Sequence, residues 1–136
     1  MPTVDVHVVK AEQCWALAQQ YHAGKREEFL CVNLIVYAVG HWIEAALALQ
    51  HKHPSAPARG VPHADREVLM RKFLVGAKWI EPEAADTYAE LVAMRHTFAD
   101  DGVQDRAFIE QYVRIAEPLV ERLKRLIDDR SHRIRS

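Results

Sequence analysis

Apolar residues recur every three to four positions along most of this chain, and no run alternates with the period of two that a useful strand needs. The spacing predicts about five helices. The first covers Val8 to Ala23, with Ala11, Trp15, Ala18 and Tyr21 or His22 facing inward, and Gly24 ends it. Lys25 to Gln50 is the central helix. Its stretch from Phe29 to Leu49 is apolar almost all the way round, which implies neighbours on several sides or a subunit interface. Gly40 within it marks a close helix contact. The segment from His51 to Pro62, HKHPSAPARGVP, holds three Pro and a Gly and reads as a loop. Pro62 and Asp65 then introduce a short helix to about Val75, anchored by Leu69 and Phe73 and stopped by Gly76. Another helix runs from Glu81 to Ala99, opened by Pro82 and closed by Asp100, Asp101 and Gly102. The last, from about Gln104 to Asp129, is the cleanest amphipathic one, with Phe108 or Ile109, Tyr112, Ile115 or Ala116, Leu119, Leu123 and Leu126 on one face. The expected fold is all-α: an up-and-down bundle of about five helices in one domain over residues 1–136, with a frayed basic tail over 128–136.

Two features break the apolar pattern. On the central helix, Asn33, Tyr37, His41 and Glu44 follow at spacings of four, four and three, so they share one narrow face. On the helix after the short one, Arg95 interrupts the apolar stripe Ala84, Tyr88, Leu91, Phe98. A guanidinium sunk among hydrocarbon without an acceptor is costly, so Arg95 requires a partner: Glu44, Asp101 or the phosphate of a ligand. The row on the central helix has three readings: the water-facing side of a bundle helix, a polar groove at a subunit interface, or a general base or pair of metal ligands made by His41 and Glu44.

Composition narrows the class. With 136 residues, 49% of them hydrophobic and 27% charged, the chain can bury a core without metal or disulfide staples. A net charge of −1 supplies no general attraction to nucleic acid. Basic residues gather only at the end, where Arg122, Lys124, Arg125, Arg130, Arg133 and Arg135 face Asp128 and Asp129. That run suits a helix C-terminus, and equally a contact with RNA or an acidic partner. Cys14 and Cys31 lack CxxC spacing and sit in predicted helices, as buried free thiols of a reducing compartment do. The opening MPTVDVHVVKAEQ has neither the basic start nor the apolar core of a signal peptide. Phe29 to Leu49 is long enough to cross a bilayer, but Asn33, His41 and Glu44 within it favour a covered core helix. The expectation is a cytoplasmic protein with no membrane contact.

Several catalytic patterns are missing. A dimetal carboxylate bundle needs Glu-x-x-His on several helices, whereas here Glu44 follows His41 by three residues. His51, His53 and His63 could meet across the proline-rich loop, but no CxxC or HExxH pattern supports a zinc site there. Ser55, Ser131 and Ser136 have no GxSxG context, and ARGVP is a turn rather than a phosphate loop. Neither a metal nor a cofactor is expected.

The segment VYAVGHWIEAALALQHKHPSAPARGVPHADREVLMRKF, followed by YAELVAMRHTFADDG and a long amphipathic helix, resembles the HEPN superfamily (higher eukaryotes and prokaryotes nucleotide-binding) over roughly Leu30 to Leu126. The resemblance implies a small helical bundle in which a central helix bearing His and Glu leads through a loop containing Pro and His to a short helix. A later helix then carries Leu, three residues, Arg, here Leu91 and Arg95. Active members are metal-independent RNases in which that Arg, separated by four to six residues from a following His, sits at a homodimer cleft. This chain departs from the pattern: Asp100, Asp101 and Gly102 lie five to seven positions beyond Arg95, and the adjacent His96 projects about 100° away. Without that imidazole the group best suited to proton transfer near neutral pH is gone.

The expected function is therefore a HEPN-like, non-catalytic, homodimeric module binding RNA, a nucleotide or a partner protein through Asn33, Tyr37, His41, Glu44, Arg95 and Asp101. One alternative is a metal-independent endoribonuclease of toxin type, with Arg95, His41 and Glu44 as catalytic residues. Another is a structural or assembly subunit without a ligand. The resemblance also points to a nucleotidyltransferase-like or antitoxin protein as a possible partner.

Overall fold

The computed structural model describes the backbone of residues 4–24, 28–50, 63–101 and 106–135, and the side chains of 4–20, 31–50, 65–97 and 106–132. These residues form an all-α bundle: α1 (Val4–Gly24), α2 (Glu28–Leu49), α3 (His63–Leu69) continued by a π-helix over Met70–Val75, α4 (Pro82–Asp101) and α5 (Arg106–Arg135). Every other element touches α2. That accounts for the apolarity of α2 on nearly all sides, since Val32, Ile35, Val39, Trp42, Ile43 and Leu47 are each covered by a neighbour. Among the described residues, Cys31–Leu49 is the one window long and apolar enough to cross a membrane, and 67% of it is buried inside the bundle. One strip of α2 stays open, where Asn33 and His41 are half-buried and Tyr37 is exposed.

Helix α1 starts at Val4 rather than at the expected Val8, with Asp5 in its first turn where a negative charge suits the helix dipole. Its inner face uses the small residues Ala11 and Ala18, both wholly buried, which lets α1 lie close along α2. Trp15 meets Trp42 edge to face at 6.4 Å between ring centroids. His7, one turn before Ala11, falls on the same buried face. Cys14 is half-buried and Cys31 fully buried; both are free thiols, and Cys31 Sγ lies 3.5 Å from the Ala18 carbonyl oxygen. Tyr21, His22 and the loop of residues 51–62 lie outside the described side chains.

The short helix departs from expectation twice. Met70 and Leu74 are its buried anchors, while Leu69 and Phe73 are only half-buried. The buried face is the one Arg66 begins: Arg66, Met70 and Leu74 follow at spacings of four, and the π-helical turn, in which Gly76 N–H donates to Arg71 O at 3.1 Å, continues it. Nor does Gly76 stop the helix through a left-handed conformation, for its φ is −59°. Lys78 does so, with φ of 62°. Lys78 N–H donates to Val75 O and Trp79 N–H to Leu74 O, both at 2.9 Å, which is the bonding of a Schellman cap. Gly76 is required for space, because a Cβ there would run into the Lys72 carbonyl oxygen.

Helices α4 and α5 close the core. Tyr88 and Leu91 of α4 are fully buried, as are Ile109, Tyr112, Ala116 and Leu123 of α5, with Leu119 and Leu126 nearly so. The Tyr112 hydroxyl donates to the Leu91 carbonyl at 2.9 Å, satisfying its polar end inside the core. Helix α5 runs on to Arg135 rather than ending near Asp129. Its basic residues help to hold it there. Arg122 grips the Glu81 carboxylate at 2.9 Å and the Trp79 carbonyl at 3.1 Å, Lys124 sits 5.3 Å from the Trp42 ring centre, and Arg130 sits 4.3 Å from that of Trp79.

Candidate functional site: two polar clusters along helix α2

Glu44, at 2% exposure, is the hub of the first cluster. Its Oε2 lies 3.1 Å from His7 Nδ1 and 3.5 Å from His41 Nδ1, and the two imidazole Nδ1 atoms are themselves 3.2 Å apart. The other carboxylate oxygen, Oε1, accepts a 3.0 Å hydrogen bond from Arg66 Nε. The pairing of α1 with α2 delivers His7, while Arg66 arrives from α3. His41 keeps 19% of its side chain exposed, so the cluster reaches solvent beside Tyr37.

Gly40 makes room for Arg66. A Cβ at position 40 would stand 2.6 Å from Arg66 Nη1 and 2.9 Å from Cζ, so the guanidinium passes over bare α2 backbone. The close contact expected at Gly40 is therefore with a side chain. Arg66 also bonds the hydroxyl of Tyr88, whose pKa burial raises against the pull of the guanidinium. For Glu44, burial alone would raise the pKa. The His41 hydrogen bond, the charge and hydrogen bond of Arg66, and the field of His7 outweigh it and hold the carboxyl at about 2. Glu44 is thus an ionised, fully engaged carboxylate.

The second cluster lies further toward the start of α2. Arg95, half-buried on α4, donates from Nε to Asn33 Oδ1 at 2.6 Å. Among the described residues no carboxylate is paired with Arg95. The expected Arg95–Glu44 pair is not formed within the chain, because Arg66 and the two imidazoles occupy Glu44. Arg95 is braced by a neutral amide at one end of the open strip, where its partner Asn33 lies one turn before Tyr37 on α2.

The residues singled out from the sequence thus divide. Asn33 and Arg95 meet; His41 and Glu44 meet; Tyr37, 45% exposed, lies between the two clusters on α2. Asp101, His51, His53 and His63 lie outside the described side chains. His96 and His132 are exposed on α4 and α5. His7 and Arg66 were not singled out, although signals existed: His7 continues the Ala11, Ala18 face of α1, and a glycine in an apolar helix invites a bulky neighbour. No family model, curated protein or solved structure matches the chain.

Proposed function

We propose that this chain is a HEPN-like binding module that holds a phosphate-bearing ligand, RNA or a nucleotide, at the Arg95–Asn33 mouth and works as a homodimer through the open strip of α2. The observation that carries the reading is a half-buried guanidinium tied to a neutral amide at 2.6 Å, with no described carboxylate against it. A cation placed this way is complementary to an anion, and the guanidinium fork suits phosphate oxygens. Tyr37, exposed one turn from Asn33, offers a face on which a base can stack. The sequence resemblance, carried by the central helix and by Leu91 with Arg95, supports the same reading. Cleavage is not part of it: His41 is engaged by Glu44 and His7, and the position where the resemblance requires a histidine holds acidic residues and Gly102.

The test is binding of a labelled single-stranded oligoribonucleotide in EDTA, followed by fluorescence anisotropy across a salt series. Arg95→Ala should weaken binding at least about tenfold and flatten the salt dependence by about one phosphate contact, with the RNA left intact. Equal binding by wild type and Arg95→Ala overturns the proposal. Cleavage of the RNA that disappears in Arg95→Ala replaces it with the endoribonuclease reading.

A further inference from the structure

The geometry of the first cluster points to a site that the sequence did not lead us to expect: we propose that His7 Nδ1, His41 Nδ1 and Glu44 Oε2 bind one divalent transition-metal ion, zinc by the nature of the donors. This site is separate from the Arg95–Asn33 mouth and does not depend on the function proposed there. The three atoms form a triangle with edges of 3.1, 3.2 and 3.5 Å. A tetrahedral zinc with ligands at about 2.0–2.1 Å requires its donors to stand about 3.4 Å apart, so the triangle already has the size of one face of that tetrahedron. Protons serve such a triangle poorly. One hydrogen satisfies two of the three atoms, and two Nδ1–H groups cannot point at each other across 3.2 Å, whereas a single cation satisfies all three lone pairs.

The surroundings support the same assignment. Two imidazoles and one carboxylate are a common zinc donor set, with a fourth position left for water. Here that position has access to solvent through His41, whose side chain is 19% exposed. Arg66 bonds Glu44 Oε1, which fixes the carboxylate so that Oε2 is presented to the imidazoles. The same guanidinium places a positive charge near the ion, so binding is weaker than at a four-ligand structural site and exchangeable by chelators. The expectation from sequence that no metal binds found no supporting pattern around His51, His53 and His63 and counted only two donors, His41 and Glu44, on α2. The third comes from α1, 34 residues before His41.

The experiment is zinc titration of the full chain by calorimetry, repeated with cobalt and read by its visible absorption. One ion per chain is expected, with the intense d–d bands of tetrahedral cobalt and a rise in melting temperature on adding zinc. His7→Gln and His41→Gln, which keep side-chain volume, should each weaken binding at least about tenfold and abolish the cobalt bands. A His51→Ala/His53→Ala variant should bind as wild type does. The proposal is overturned if wild type binds no better than His7→Gln/His41→Gln, or if binding is lost in the His51→Ala/His53→Ala variant instead. If the histidine variants prove unfolded by circular dichroism, cobalt bands of octahedral type in the wild-type protein are the overturning result. Oligoribonucleotide binding in EDTA reports on the Arg95 mouth alone, so either proposal can fail without the other.

Discussion

Arg66 reaches Glu44 across the bare backbone of Gly40, where an added Cβ would stand 2.6 Å from Nη1. A helix interior ordinarily gains about 1 kcal/mol when Gly becomes Ala. Here the gain is outweighed, because the methyl group displaces a buried guanidinium and loosens an ion pair whose full rupture costs about 3–5 kcal/mol. Gly40→Ala should lower stability by about 1–3 kcal/mol, read as a shift of the urea midpoint at unchanged slope. A neutral or stabilising result would mean that Arg66 can step aside and still hold Glu44.

The ionised state of Glu44 gives stability a defined acid limb. Its folded pKa of about 2 lies below the ordinary carboxylate value of 4.5. Between those values the unfolded chain binds a proton that the folded chain refuses, so stability is fully present above pH 4.5 and is lost as pH falls toward 2. The contribution is of order 3 kcal/mol. In EDTA, the drop in unfolding free energy between pH 5 and pH 2.5 should be smaller for Glu44→Gln than for wild type. Parallel pH curves for the two proteins would show that the carboxylate is not held ionised.

Replacing the neutral brace of Arg95 by a charged one should silence the mouth without disturbing the fold. In Asn33→Asp a carboxylate takes the place of the amide oxygen that now accepts the 2.6 Å bond, so an internal ion pair replaces the hydrogen bond. Oligoribonucleotide affinity should fall about as far as in Arg95→Ala, while the melting temperature holds or rises. Retained affinity in Asn33→Asp would show that the charge of Arg95 is not what the ligand meets.

The cap at Lys78 is improvable. Its φ of 62° is a conformation in which a Cβ is strained and Gly is not, and the residue is exposed. Lys78→Gly should raise stability by about 0.5–1 kcal/mol, seen as a melting temperature higher by a few degrees. An unchanged or lower melting temperature would place the strain elsewhere in the turn.

Much of the fold was legible because burial obeys helical period. The α5 stripe fell where its spacing put it, with Ile109 and Ala116 rather than Phe108 and Ile115 the wholly buried members of their pairs. The round apolarity of α2 correctly announced neighbours on several sides. Misreadings arose in the short helix and the turn that follows it. The inward face of the short helix is Arg66, Met70 and Leu74 rather than Leu69 and Phe73, and Lys78, not Gly76, takes the left-handed position that ends it. Periodicity cannot choose between the two pairs, since each is four residues apart; the inward pair is the one that shares its face with Arg66, which docks on Glu44.

The candidate sites divide in the same way. Sequence alone determined that α2 carries a polar row through an apolar helix and that Arg95 needs an acceptor, because both follow from spacing along one chain and the cost of burying a charge. Which groups meet was decided only by tertiary structure. The choice between Asn33 and Glu44 as partner of Arg95, and the arrival of His7 and Arg66 at Glu44, depend on the register with which α1, α3 and α4 pack against α2. That register is set by how small residues such as Gly40, Ala11 and Ala18 let neighbours approach, a property of surfaces in contact that no single helix carries by itself.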